Sequence, residues 1–398
     1  MDMTKPRRIW LCALAAAMAM VSGCGDEAED PGPTTSTTLA ESTTSAAPDA
    51  STSVPTTEPA PSTTTASTTT IPPLEEPTFE SVEGINTIRD FSELTSAGLG
   101  LWQESVPDIE DLTITSTADD TDQPALWLAP DGDGDQPLLV ILHSSSAEYL
   151  QHAGIPYAMF ADENGWAVIA PQFRGINDDP ESTGSDLAVQ DAVDAIDFAT
   201  SQEGVDPNRV YAVGYSGGGT MSLLLAGRHP DKVTAVAAWG PPYDLIDFYQ
   251  QSLAAGRGYA PNIRAACGGD PTESGEAEEE CLHRSPLTHL DTAREEQVPV
   301  FIAQGIHDSI LSPRHGAGAF NQLADPDDRL SDEQLEVIGD GGIPDDLSEP
   351  VSAETYFEEG DPAPVLARQS GAALLVLFDA DHDMAYQPTL RWFASDPR

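Results

Sequence analysis

Short apolar runs alternate with longer amphipathic stretches from about residue 110 to the end of the chain. "LTITST" (112–117) and "ALWLAP" (125–130) lie close together and predict an early antiparallel pair. Six further runs follow: "PLLVILH" (137–143), "WAVIAP" (166–171), "RVYAVG" (209–214), "VTAVAAW" (233–239), "VPVFIAQG" (298–305) and "ALLVLFDA" (373–380). Near-continuous apolar runs separated by helical patterns are what buried parallel strands and their crossover helices require. Residues 187–201 show the helical spacing. Val189, Val193 and Ile196 share one face, while Asp191, Asp194 and Asp197 form a stripe expected to face solvent. The predicted fold class is α/β, with a mostly parallel eight-stranded sheet flanked by helices.

This pattern does not reach the N-terminus. Lys5, Arg7 and Arg8 precede an apolar stretch over 9–21, which has the layout of a secretory signal. It ends in Val21-Ser22-Gly23-Cys24, which resembles the lipobox of bacterial lipoproteins. That resemblance implies a signal peptide over 1–23 and lipidation of Cys24. The domain would then be exported and held on the outer face of the bacterial cell membrane by lipid alone. Residues 31–73 are almost entirely Thr, Ser, Pro and Ala. Such a composition buries too little apolar surface to offset chain entropy, so 24–74 is expected to be a disordered tether. Residues 75–398 are long enough for one α/β domain.

Charge narrows the list of partners. The formal net charge is −50, and Lys5 and Lys232 are the two lysines. A surface this acidic argues against nucleic acid as a partner. The turn "DGDGD" (131–135) has the alternating aspartates of a calcium loop, but the twelfth position of that pattern would be Leu142, inside a strand. It is read as a hairpin turn. With Cys12 in the signal and Cys24 at the lipid site, Cys267 and Cys281 remain as a pair. In an oxidising compartment they are expected to form a disulfide closing a short acidic loop, worth about 3 kcal/mol.

The sharpest chemical signal is Gly214-Tyr215-Ser216-Gly217-Gly218, between a predicted strand and the helix-like "TMSLLLAGRHP". In that context Gly-x-Ser-x-Gly is a nucleophile elbow, whose tight turn lifts the serine Oγ above the sheet. A serine hydroxyl needs a base to take its proton and an acid to orient that base. Chain order for this arrangement is Ser, acid, His. Asp308 follows the strand at 298–305 and His382 follows the one at 373–380. Loops at the carboxyl ends of parallel strands meet over one crevice, so the three can converge. Asp379, Asp381 and Asp383 are weaker candidates for the acid because immediate neighbours of His382 point away from its ring. His307 and His315 do not follow the last strand.

From about residue 112 onward the chain resembles an α/β-hydrolase, specifically the catalytic domain of the prolyl oligopeptidase family. The matching phrases are "FRG" (173–175), "DPNRVYAVGYSGGG", "RSPLTHL" (284–290) followed by "VPVFIAQGIHDSILSP", and "DADHDM". Position by position, the resemblance implies Ser216 as nucleophile, Asp308 as orienting acid, His382 as general base and Gly217 as one oxyanion donor. It calls for no metal or organic cofactor. Peptide-cleaving members carry a large β-propeller ahead of this domain, and the segment ahead of the hydrolase region is too short for one. Residues 324–362 read as an acidic insertion which, with the Cys267–Cys281 loop, could form a small cap or lid, or decorate a distant surface.

"ILHSSS" (141–146) stands where relatives carry His-Gly-Gly, in the loop that gives the second oxyanion donor. Ser145 takes the position of the second glycine, with Ser144 the alternative. The expected function is an envelope serine hydrolase acting on esters or on small amides and peptides, with a lean towards esters. The competing reading is a non-catalytic lipoprotein that uses the fold as a binding module. Neither the acyl group nor the oligomeric state is fixed by the sequence.

Overall fold

A computed structural model describes residues 74–398 except 86, 89–94, 133, 349–350 and 352–354. The expected signal 1–23, Cys24, the tether as far as residue 73 and Asp133 of the acidic turn lie outside the described residues.

The strands are β1 (Thr87–Ile88), β2 (Glu110–Thr115), β3 (Asp122–Leu128), β4 (Gln136–Leu142), β5 (Ala167–Pro171) and β6 (Val205–Tyr215). They continue with β7 (Ala235–Trp239), β8 (Val300–Gly305), β9 (Pro364–Ser370), β10 (Ala373–Phe378) and β11 (Met384–Ala385). Nine of them form one sheet in the order β2-β3-β5-β4-β6-β7-β8-β10-β9, and β1 pairs with β11 apart from it. From β5 through β10 every neighbouring pair is parallel. The two members at one edge and β9 at the other run antiparallel. Strands β5, β7, β8 and β10 are buried along their whole length, which is why they read as unbroken apolar runs.

The ninth strand, β9, was not among the eight expected. Its sequence PVLARQS mixes Arg368 and Gln369 with apolar residues and is only partly buried. An edge strand needs one covered face and carries charge on the other, so its pattern is weak.

The helices are α1 (Leu99–Ser105), α2 (Ile155–Glu163), α3 (Asp186–Thr200), α4 (Gly217–Arg228), α5 (Leu245–Ala254) and α6 (Tyr259–Ala266). After them come α7 (Glu276–Arg284), α8 (Leu290–Glu295), α9 (Arg314–Leu323), α10 (Asp332–Gly339) and α11 (Tyr386–Ala394). One face of the sheet buries Val140, Ile169 and Ile302 against α3, α4, α8 and α9. The other buries Leu139, Val168 and Phe301 against α2 and α11, with Trp102 of α1. This is the α/β-hydrolase fold, a large mixed sheet with helices on both faces.

Three expectations about surface features are resolved here. The Cys267–Cys281 disulfide forms, joining the end of α6 to α7. Its sulfurs lie in a separate apolar cluster with Leu245, Phe248, Tyr249, Ala260 and Ile263, so α5–α7 make a small cap with its own core. The described part of the 324–362 insertion packs beside the loop after β8, where the Ser312 hydroxyl donates to the Gly339 carbonyl at 2.9 Å. Its helix α10 begins with a capping box at Ser331 and Gln334 and buries Leu335 and Ile338 in the main core.

The acidic stripe of α3 is a correction. Asp191 and Asp194 are buried, not solvated. Asp191 pairs with Arg174 at 2.7 Å, and Asp194 accepts from the Thr117 N–H at 2.6 Å. Asp197 alone keeps to the surface, beside Lys232 at 2.6 Å. The partners come from segments far away in sequence, so helical spacing could not reveal them.

Candidate active site

Four loops meet at the carboxyl ends of β4, β6, β8 and β10. The register explains why they are level: Leu142 pairs with Gly214, Gly214 with Ala238, and Gly305 with Phe378. The next residues of each chain segment therefore leave the sheet over the same crevice.

Ser216 sits between β6 and α4 with φ 55° and ψ −117°, a conformation costly for a residue with a Cβ. Close packing holds it there. A methyl group on Gly214 would lie 2.1 Å from the Gly218 carbonyl oxygen, and one on Gly218 would lie 2.3 Å from that of Leu142. Side chains at either position would force the elbow open. The Ser216 N–H donates to the Trp239 carbonyl at 2.7 Å, fixing the elbow to the end of β7.

Asp308 and His382 face each other across β8 and β10, with His382 Nδ1 2.6 Å from Asp308 Oδ2. Both side chains are withdrawn from water, at 5% exposure for His382 and 0% for Asp308. Asp308 Oδ1 accepts from the Ile310 and Leu311 N–H groups at 2.9 and 2.8 Å, and Oδ2 also accepts from Gln304 Nε2 at 2.6 Å. The carboxylate is thus held at both oxygens. The elbow reaches this pair through its neighbours. The Tyr215 hydroxyl donates to the His382 carbonyl, and the two rings stand 4.8 Å apart. Gly240, two positions past Ala238, leaves room for the imidazole: a methyl there would lie 3.1 Å from His382 Cε1. Among the described residues no hydrogen bond joins Ser216 Oγ to His382 Nε2.

The serine loop after β4 divides its roles. The Ser144 N–H donates to Gln151 Oε1 at 3.1 Å. Ser145 lies against the elbow, its N atom 2.7 Å from where a Cβ on Gly217 would stand. Among the described residues the Ser145 N–H has no acceptor. The Gly217 N–H opens a helix of 12 residues, whose positive end favours a developing anion.

Several residues of the site escaped the sequence reading. Asn177 holds Ser145, and Asp381 binds the Ser309 and His382 N–H groups through one oxygen at 2.6 and 2.7 Å. Burial raises the Asp381 pKa, but those N–H groups outweigh it and leave the carboxyl below its ordinary value. Asp381 therefore ties the loop after β8 to the loop after β10 through main-chain N–H groups and leaves the His382 ring to Asp308. His143 is buried and stacks on Phe173 at 3.8 Å, and burial holds its ring below the usual histidine pKa. Phe173, Arg174 and Gly175 all have positive φ. The ion pairs of Arg174 with Asp119, Glu181 and Asp191 hold that turn, which explains the "FRG" phrase. His307 is exposed beside Asp379, and His315 is buried behind the acid loop.

A narrow cleft opens beside the elbow, bordered by Gly217 and Ser145. Phe173, Met221, Leu245, Phe248 and Ile263 give it apolar walls, and Asn177 and Asn262 add polar groups. No charged side chain lines it. Trp239, at the end of β7, is fully buried, and its indole N–H donates to Thr389 Oγ1 at 2.7 Å.

The chain has the α/β-hydrolase fold, with Ser216 and the Asp308–His382 pair gathered at one end of its sheet. Residues 158–337 match the prolyl oligopeptidase family model. NocK of Nocardia uniformis subsp. tsuyamanensis, named as an esterase, is 36% identical over 110 residues, 26% of this chain and 32% of its own length. Feruloyl esterase B of Thermothelomyces thermophilus is 30% identical over 115 residues, 27% of this chain and 40% of its own. The chain thus spans well under half the length of these curated relatives. Among solved structures, a puromycin hydrolase superposes with a TM-score of 0.47 at 14% identity, over 73% of this chain and 38% of its own.

Proposed function

We propose that the protein is a hydrolase of carboxylic esters, extending to small amides and peptides, that works through a Ser216 acyl-enzyme. Ser216 Oγ attacks the acyl carbon while His382 Nε2 takes its proton. Asp308 holds the other ring nitrogen and stabilises the imidazolium. The tetrahedral oxygen rests on the Gly217 and Ser145 N–H groups. His382 then returns the proton to the leaving alcohol or amine, and water repeats the sequence to release the acid. Ser216 and His382 draw together as substrate fills the cleft, since such hydrogen bonds tighten in the substrate complex.

The observation that carries this reading is the strained Ser216 beside the buried Asp308–His382 pair at 2.6 Å. The uncharged walls of the cleft favour a neutral, mostly apolar acyl group. Two relatives named as esterases support the lean towards esters, while the family match keeps peptides in view. We extend the proposal to an envelope location with Cys24 lipidated, on the strength of Val21-Ser22-Gly23-Cys24.

A fluorophosphonate probe tests the chemistry. It is expected to label the wild-type chain and not Ser216→Ala; an unlabelled wild type returns the protein to the binding-module reading. A panel of p-nitrophenyl esters and aminoacyl-nitroanilides then separates esterase from peptidase.

A further inference from the structure

We propose that Arg257, in the link between α5 and α6, is a positioning residue that sets the Asp308 carboxylate from the disulfide-stapled cap. The inference rests on the hydrolase reading above.

The acid loop is attached to the cap at several points. Leu311 is fully buried in the cap's own apolar cluster, beside Leu245, Phe248 and the disulfide. Gln251 Oε1 of α5 accepts from the Ser312 N–H at 3.0 Å. Arg257 donates through one terminal nitrogen to the Ile310 carbonyl at 2.8 Å, and through the other to the Ser309 carbonyl. Among the described residues Arg257 forms no ion pair, although the chain carries 67 acidic residues. Its guanidinium is committed to backbone.

The choice of carbonyls gives Arg257 its leverage. The Ser309 carbonyl and the Ile310 N–H belong to one planar peptide group, and the Ile310 carbonyl and the Leu311 N–H to the next. Those two N–H groups are the donors to Asp308 Oδ1, at 2.9 and 2.8 Å. Arg257 therefore grips the far ends of both peptide groups whose near ends orient the carboxylate. A charged donor on each carbonyl also polarises each peptide, strengthening its N–H as a donor. With Oδ1 pinned in this way, Oδ2 is aimed at His382 Nδ1. The planar fork of Arg257 can span two successive carbonyls, whereas a lysine ammonium is a single point. The same cap supplies Leu245, Phe248 and Ile263 to the cleft, so one stapled body both walls the acyl site and aims the acid.

The test uses the full chain and four proteins: wild type, Ser216→Ala, Arg257→Lys and Arg257→Ala. Hydrolysis of p-nitrophenyl acetate, too small to fill the cleft, is compared with that of a bulky aromatic ester. Arg257→Ala is expected to lower kcat about tenfold to a hundredfold on both esters, as misplacement of a catalytic group does. KM for the acetate is expected to stay within about twofold, because ground-state binding is untouched. Arg257→Lys should recover part of kcat, and methylguanidinium added to Arg257→Ala should recover part as well, which a misfolded variant would not allow. Three outcomes overturn the proposal: kcat of Arg257→Ala within about twofold of wild type, a loss confined to KM of the bulky ester, or lysine and methylguanidinium both failing to restore kcat. If the wild type shows no hydrolysis that Ser216→Ala abolishes, the hydrolase reading itself fails and this inference falls with it.

Discussion

Asn177 holds Ser145 at two points: its N–H donates to the Ser145 carbonyl at 2.8 Å, and its Nδ2 donates to Ser145 Oγ at 3.1 Å. Its Oδ1 accepts from the Thr183 N–H at 3.3 Å, so the grip is itself braced. Glycines in this loop would leave it freer to wander; serine with asparagine fixes it.

This grip predicts the behaviour of Asn177→Ala. The substitution removes the Nδ2 bond to Ser145 Oγ and the Oδ1 brace but keeps the main-chain bond, so the loop loosens and kcat on esters should fall about tenfold, short of deleting an oxyanion donor outright. Steady-state kinetics on a short ester should show the loss in kcat with KM little changed, while fluorophosphonate still labels Ser216.

Arg174 predicts a stability effect. Its side chain is 4% exposed and that of Asp191 is 1% exposed. Arg174→Ala leaves the Asp191 carboxylate buried without its cation, which should cost about 3–5 kcal/mol in urea unfolding. Adding Asp191→Asn removes the stranded charge and should recover part of that loss.

His315 predicts a pH dependence. Burial dominates its surroundings and pushes its pKa from 6.5 down to about 4, against the opposing pull of Asp244 and Asp308. Asp247 lies 3.4 Å from Nε2. Because the folded value is the lower one, the unfolded chain binds the extra proton first, and stability falls as pH drops from 6.5 towards 4. The contribution is about 3 kcal/mol, present above pH 6.5 and lost at the acid end. Denaturation curves of His315→Gln should show a flatter dependence across that window than wild type.

The disulfide predicts a loss of stability on removal. Its cysteines are separated by 14 positions, and replacing both by serine should lower the unfolding free energy by about 3 kcal/mol. A calorimetric melt of the double variant unchanged from wild type would show that the apolar cluster of the cap holds without the bond.

What the sequence disclosed about this site follows from the range over which each signal acts. The elbow is local: glycines two before and two after Ser216 are needed by atoms of the same turn, so five letters reveal it. Asp308 and His382 are readable because each follows an apolar run that ends at the same edge of the sheet. The residues that refine the geometry gave no such mark. Asn177, Asp381, Gln304 and Arg257 act on atoms whose backbone position only the folded sheet fixes. Asp194 looked solvated because its partner, Thr117, stands 77 positions away. Strand β9 was missed because half of it faces solvent.

The way Arg257 binds loop carbonyls is repeated elsewhere in the molecule. Arg284 reaches the Pro180 and Ser182 carbonyls and Arg391 that of Tyr356, while Arg294 reaches the Gln322 carbonyl at the end of α9. In a chain with 17 cationic side chains against 67 acidic ones, the two kinds of charge carry unequal responsibility. Carboxylates on the surface are numerous and act together, so each can be exchanged with little consequence for the whole. The arginines are few, and Arg257, Arg284 and Arg391 each anchor a different loop. Tolerance to substitution should therefore be lopsided, broad across the acidic surface and narrow at a handful of guanidinium groups.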